Sequence, residues 1–264
     1  MTRATMARWT RRELAEGAAL CLEIGSGLLE NGAETSRVEE TVRMAGDALG
    51  LTAETIVTPT AITVTFGNGE VITRVARIRE RVIDLDKVDR LNNISRELQL
   101  EPDPNLGELR EKVQGIRQAP PLYSETHQIV ATAVACACYT ISLGGGWEEA
   151  TWAVSAGVLG RILVDMIGSG FPSFLSLFFV AFLSTMYGLG AHEVAGLETE
   201  SIVVGSLLSR MPGLTIVSAV RDLMAGELVA GVARAAEAML VTLGMASGVL
   251  ACLSFSVRLG LVGG

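Results

Sequence analysis

Five ionisable side chains sit inside otherwise apolar stretches: Arg161, Asp165, Arg210, Arg234 and Glu237. Within a bilayer each costs at least about 2.5–3.5 kcal/mol on insertion scales, so such residues are kept for ion pairing or for a polar path. Arg161 and Asp165 stand at i, i+4, and Arg234 and Glu237 at i, i+3. These spacings let each pair meet on one helix face. Ion bridges between helices, or snorkelling at span ends, would account for them structurally. A polar route lined by arginines and suited to a carboxylate would account for them functionally. Arg210-Met211-Pro212-Gly213 adds a backbone feature. Proline removes a backbone donor and glycine loosens the helix. Near the middle of a span this is either a plain kink or a discontinuous helix. The second exposes backbone groups and a half-helix N-terminus, as in the anion and amino-acid sites of secondary transporters. Asp165, Asp222 and Glu237 are candidate proton carriers.

Other chemistries are poorly provided for. The two histidines are His127 and His192. His192-Glu193 is not followed by a second histidine at the zinc-protease spacing, and Gly168-Ser169-Gly170 lacks the further glycine of a serine-nucleophile elbow. There is no GxxxxGK[ST] loop, and Gly25-Ser26-Gly27 falls in a helix pattern. The cysteines, Cys21, Cys136, Cys138 and Cys252, form no CxxC pair and read as small buried hydrophobes. No enzymatic activity, metal or cofactor is expected. A net charge of -8 without a basic stripe argues against a nucleic-acid partner.

The elements that must position these residues fall into two parts. Of 21 Lys and Arg, 16 precede Pro120, as do 19 of the 29 acidic residues. Residues 1–120 therefore read as a small cytoplasmic α+β domain and 121–264 as a transmembrane domain. Arg3, Arg8, Arg11 and Arg12 resemble the start of a secretory signal, but Glu13, Glu16 and Glu23 interrupt the stretch that would have to be apolar.

In the first part, Leu14, Ala18, Leu22, Gly25 and Leu29 have helical spacing, and Asn31-Gly32 stops that helix. Ser36 with Glu39 has capping-box spacing ahead of Val38, Val42, Ala45 and Leu49. Residues 54–58 and 61–66 are β-rich, and Asn68-Gly69 predicts a hairpin into 71–78. Helices follow with stripes Val88, Leu91, Ile94, Leu98 and Leu106, Leu109, Val113, Ile116, separated by Pro102 and Pro104.

In the second part, runs of about 20 apolar residues suit a bilayer core about 30 Å thick. Five spans are expected, at 126–145, 149–168, 171–190, 201–221 and 232–257. The fold class is thus a polytopic α-helical membrane protein with an N-terminal α+β domain. Gly244 and Gly248 form a GxxxG, which serves bundle packing or a dimer contact. Lys112 and Arg117 precede the first span, while the loops holding Glu148, Glu149 and Glu193, Glu198, Glu200 lack Lys and Arg. That asymmetry places the N-terminal domain in the cytoplasm.

Several stretches then carry a resemblance: Asn31–Glu39 (NGAETSRVE), Thr58-Pro59-Thr60, Asp84–Asn92 (DLDKVDRLN), Gly144–Trp147, Met211-Pro212-Gly213, Val220-Arg221-Asp222-Leu223 and Ala225-Gly226-Glu227. In order and spacing the chain resembles the threonine/serine exporter (ThrE/YjjP-type) family. The resemblance implies export of small hydrophilic metabolites across the plasma (inner) membrane: threonine and serine, or a dicarboxylate such as succinate in the split members. Full-length members carry a second set of spans. A chain that stops at Gly264 is expected to be the larger subunit of a split system, working with a smaller multi-span membrane subunit in the lipid bilayer. Ser218 stands where the family pattern leads one to expect an amide. Candidate substrate contacts are Arg210, Pro212, Gly213, Ser218, Arg221, Asp222 and Arg234, with Asp165 and Glu237 for proton or ion coupling. The alternative is a scaffold or a gating or sensor subunit of a transport complex.

Overall fold

A computed structural model describes residues 10–67, 71–101, 104–168, 170–258 and 260. Among these residues the chain is mostly helical, with one small antiparallel sheet. It divides into two compact units. One comprises residues up to Leu122 together with Val217–Arg234; the other comprises Tyr123–Ile216 and the chain from Ala235 onward.

In the first unit, α1 (Arg11–Glu30) opens with a capping box between Thr10 and Glu13. It stops where expected: the Asn31 side-chain amide donates to the Gly27 carbonyl at 2.6 Å, and Gly32 takes a φ of +89°. α2 (Thr35–Ala48) corrects the sequence reading. Glu34 is its N-cap, no side chain of that residue caps it, and the box expected from Ser36 and Glu39 is not made. Glu39 turns instead to the sheet, where its carboxylate accepts the Val57 amide at 3.1 Å. Val57 lies on an edge strand, so an outward amide there needs a partner from outside the sheet.

The sheet has strand order β1 (Thr52–Thr58), β2 (Ala61–Gly67), β3 (Val71–Arg77), with register Val57↔Ile62↔Ala76. Val57, Ile62, Val64 and Phe66 are buried on one face. Gly25 allows α1 to approach this layer closely, since a Cβ there would stand 2.6 Å from Val42 and 2.8 Å from Ile62. Asn68-Gly69 lies outside the described residues, as do Arg3, Arg8, Pro102 and Ser169; the flanking strands pair antiparallel. α3 (Leu85–Leu100) is capped by Asp84 and α4 (Leu106–Gln118) by Asn105. Both bury their expected stripes, apart from Leu106, which is only partly buried. Arg117 on α4 bridges to Glu30 on α1 at 2.8 Å.

The second unit holds α5 (Glu125–Ser142), α6 (Trp147–Ile167), α7 (Ser173–Ala195), α8 (Thr199–Leu208), the start of α9 (Gly213–Met224) and most of α10 (Leu228–Arg258). Small residues let these helices pack at close range, which is how helices associate where lipid removes the hydrophobic drive. A Cβ on Gly248 would lie 2.2 Å from the Phe178 carbonyl oxygen, and one on Gly244 2.4 Å from that of Phe174. The GxxxG of α10 thus packs on α7 within the chain. Gly205 meets Thr140 and Gly157 meets Cys136 in the same way.

Among the described residues α6, α7 and α10 are long and apolar enough to cross a membrane. The bent pair α8–α9 makes a fourth if it counts as one span. α5, at the first expected span, has 18 residues and carries Thr126, His127, Gln128 and Thr132 in its first half.

Candidate functional site

The expected fourth span is two helices. α8 ends at Leu208, α9 begins at Gly213, and their axes differ by 58°. Tight turns close the gap, with the Arg210 amide donating to Leu207 and the Gly213 amide to Met211. Helix bonding resumes when Ile216 donates to the Pro212 carbonyl at 3.0 Å. A proline at this point cannot continue the α8 ladder, which is why the bend falls here. The start of α9 presents the positive end of a half-helix.

Arg210 stands in this break. Its Nε and Nη2 are buried and have no hydrogen-bond partner among the described residues. The side chain lies against α6, where a Cβ on Gly160 would be 3.9 Å from Nε. Arg161 and Asp165 follow Gly160 on the same helix. They form the expected pair, Arg161 Nε to Asp165 Oδ2 at 2.9 Å, and Arg161 also donates to Gln128 on α5 at 2.7 Å. Arg161 is thereby satisfied, and the cluster keeps one cation in excess. A partly buried cation whose donors lack acceptors is destabilising. A carboxylate placed in the break would relieve that cost with charge-assisted hydrogen bonds. Gln128, a single amide in a helix of small residues, gave no sequence signal of this role.

The other candidates collect elsewhere. Asp222 is fully buried on α9 and Arg234 almost so on α10. Arg234 Nε meets Asp222 Oδ2 at 3.2 Å, and its Nη2 donates to the Ala33 carbonyl at 2.8 Å. Asp222 also accepts the Thr35 amide at 3.1 Å and the Thr35 hydroxyl at 3.2 Å. Arg221 pairs with Glu34. Ser218 is half-buried on α9, one turn before Asp222. All of these contacts fall within the first unit, whereas Arg210, Pro212, Gly213, Asp165 and Glu237 belong to the second. Glu237 and Asp165 are exposed on α10 and α6.

Two cavities of about 600 Å³ lie in the second unit. One is an apolar groove between α6 and α7, lined by Trp152, Leu163, Val180 and Tyr187. The other has an acidic mouth of Glu193, Glu198 and Glu200 beside His192. Arg210 lines neither. Both histidines serve helix ends: His192 Nδ1 lies 2.9 Å from the Leu197 carbonyl, and His127 Nδ1 lies 2.6 Å from the Ser124 hydroxyl. No group of three or more His, Cys, Asp or Glu that could hold a metal occurs among the described residues.

Comparison with known proteins agrees with a membrane transporter. The profile of the family described as "Putative threonine/serine exporter" matches residues 19–256. A protein of Klebsiella aerogenes named "Probable succinate transporter subunit YjjP" is 29% identical over 88% of this chain and 90% of its own length. Its Escherichia coli K12 namesake is 26% identical over 89% and 93%. The "Threonine/serine exporter" of Corynebacterium glutamicum is 27% identical over 87% of this chain but 49% of its own length, so the chain spans about half of that protein. No solved structure matches. With residues 19–256 matched by one profile, the chain belongs to the threonine/serine exporter family.

Proposed function

We propose that this chain is the larger subunit of a secondary transporter that exports a small carboxylate-bearing metabolite across the plasma membrane. Threonine, serine and a dicarboxylate such as succinate are the candidate substrates. The observation that carries the reading is Arg210, whose Nε and Nη2 are buried at a helix break with no hydrogen-bond partner among the described residues. Pro212 and Gly213 make the break, and the end of α9 adds favourable potential for an anion. Asp165 and Glu237 are placed as proton or ion carriers. The N-terminal unit lies in the cytoplasm and five spans cross the bilayer, the first being the more polar α5. A smaller multi-span subunit completes the path, in keeping with relatives named as transporter subunits and with exporters about twice as long.

The test is reconstitution of the chain in liposomes with and without that smaller subunit, following efflux of labelled threonine, serine and succinate. Gradient-driven efflux of at least one substrate supports the reading. No efflux of any of them in either preparation overturns it.

A gating role is favoured by a separate observation, the buried contacts of Ala33 and Thr35 with Arg234 and Asp222. An unchanged transport rate and KM in Arg210→Ala would favour this second reading over a substrate-binding one.

A further inference from the structure

Three consecutive residues ahead of and at the start of α2 are each held by one charged side chain from the α9–α10 region. Ala33 offers its carbonyl to Arg234, Glu34 pairs with Arg221, and Thr35 binds Asp222 through both amide and hydroxyl. α2 lacks a cap of its own. Asp222 supplies one from 187 residues away, satisfying an otherwise orphan amide and the positive helix end at once. The grip has no slack. Asp222 is 0% exposed and Arg234 5%. A Cβ on Gly231 would stand 2.6 Å from Leu223, so the end of α9 and the start of α10 are packed together.

α9 runs from this grip to Gly213 at the helix break, about 18 Å for its 12 residues. A rigid half-helix held firmly at one end has its other end placed by the same contact. We propose that Thr35, Asp222 and Arg234 are positioning residues. In this view they clamp α9 to the N-terminal unit and so set the geometry of the break that Arg210 occupies, and they do not touch substrate. The inference rests on the reading of that break as the transport site.

The experiment uses the full chain with its smaller subunit. Asp222→Asn keeps the side-chain oxygen facing the Thr35 amide and removes the charge facing Arg234. Thr35→Val removes one hydroxyl at constant shape. Hydrogen exchange is read at the amides of α9 and of the first turn of α2. Maximal efflux rate and KM are read for labelled threonine, serine or succinate. Both variants are expected to speed exchange at α9 and lower the maximal rate by roughly tenfold, with KM within about twofold of the parent. Thr35→Ser, which keeps the hydroxyl, is expected to restore both readouts. Amides of α1 and β2 report whether the unit remains folded. If they too exchange quickly in Asp222→Asn, Thr35→Val against Thr35→Ser decides. A raised KM with unchanged α9 exchange would make these residues substrate contacts and overturn the proposal. So would unchanged exchange and rate together. If Arg210→Ala leaves transport intact while Asp222→Asn slows it and loosens α9, the substrate site falls and the clamp stands.

Discussion

Gly248→Ala should weaken the contact between α10 and α7, and its size follows from the geometry. The added methyl would lie 2.2 Å from the Phe178 carbonyl oxygen. An ordinary carbon–oxygen contact is about 3.3 Å or more, so the helices must part by about 1.1 Å locally. Overpacking of this kind costs about 1–3 kcal/mol, and each Cα–H···O interaction broken as the helices part adds about 0.5–1 kcal/mol. Gly190→Ala on α7 is the control, because a Cβ there meets nothing within 4 Å. Both substitutions gain the same helix propensity, so their difference isolates the contact, at about 2–3 kcal/mol. Gly244→Ala, at 2.4 Å from Phe174, should fall slightly below Gly248→Ala. The assay is unfolding of the full chain in mixed micelles titrated with a denaturing detergent, followed by circular dichroism. Equal midpoints for Gly248→Ala and Gly190→Ala would refute the close packing of α7 and α10.

The Cys21 thiol is pushed up to about 12 by burial, leaving about one part in ten thousand as thiolate at pH 8. Maleimide should therefore modify it only after denaturation, as read by mass spectrometry of its peptide. Burial, with Glu227 nearby, raises the Glu39 carboxyl above its ordinary 4.5 against the opposing Val57 hydrogen bond. A raised acid favours the folded state below 4.5 and loses that contribution as pH rises through the folded value. Glu39→Gln should accordingly flatten this dependence and protect the Val57 amide better at pH 7, as measured by hydrogen exchange across pH. Asn105→Ala removes the cap of α4 and should cost that helix about 1 kcal/mol, read as faster exchange in its first turn.

Features written in local spacing were legible in the sequence. Pro212-Gly213 marks the break because a missing donor has its effect where it stands. Arg161 and Asp165 lie one helical turn apart, and they meet. The stripes of α3 and α4 followed from the 3.6-residue period. Contacts between distant residues have no such period. The spacing of Arg234 and Glu237 speaks only of their own helix, and nothing in the sequence points from Arg234 to Asp222 or to the Ala33 carbonyl. The capping signal at Ser36 and Glu39 failed because a more demanding partner, the edge amide of Val57, took the carboxylate. α5 looked like an unambiguous span because it lacks formal charge over 126–142. Its threonines, histidine and glutamine set it apart from the longer helices that qualify.

The central claim is that Arg210 receives the substrate carboxylate. A charged hydrogen bond of this kind contributes about 1.5–3 kcal/mol, which corresponds to roughly 10- to 150-fold in KM. The most direct measurement is KM for efflux of labelled threonine, serine or succinate from liposomes holding the chain and its smaller subunit, compared among the parent, Arg210→Lys and Arg210→Ala. The account predicts a KM raised by that factor in Arg210→Ala and partly restored in Arg210→Lys. An Arg210→Ala protein with the parent's KM and maximal rate would contradict it.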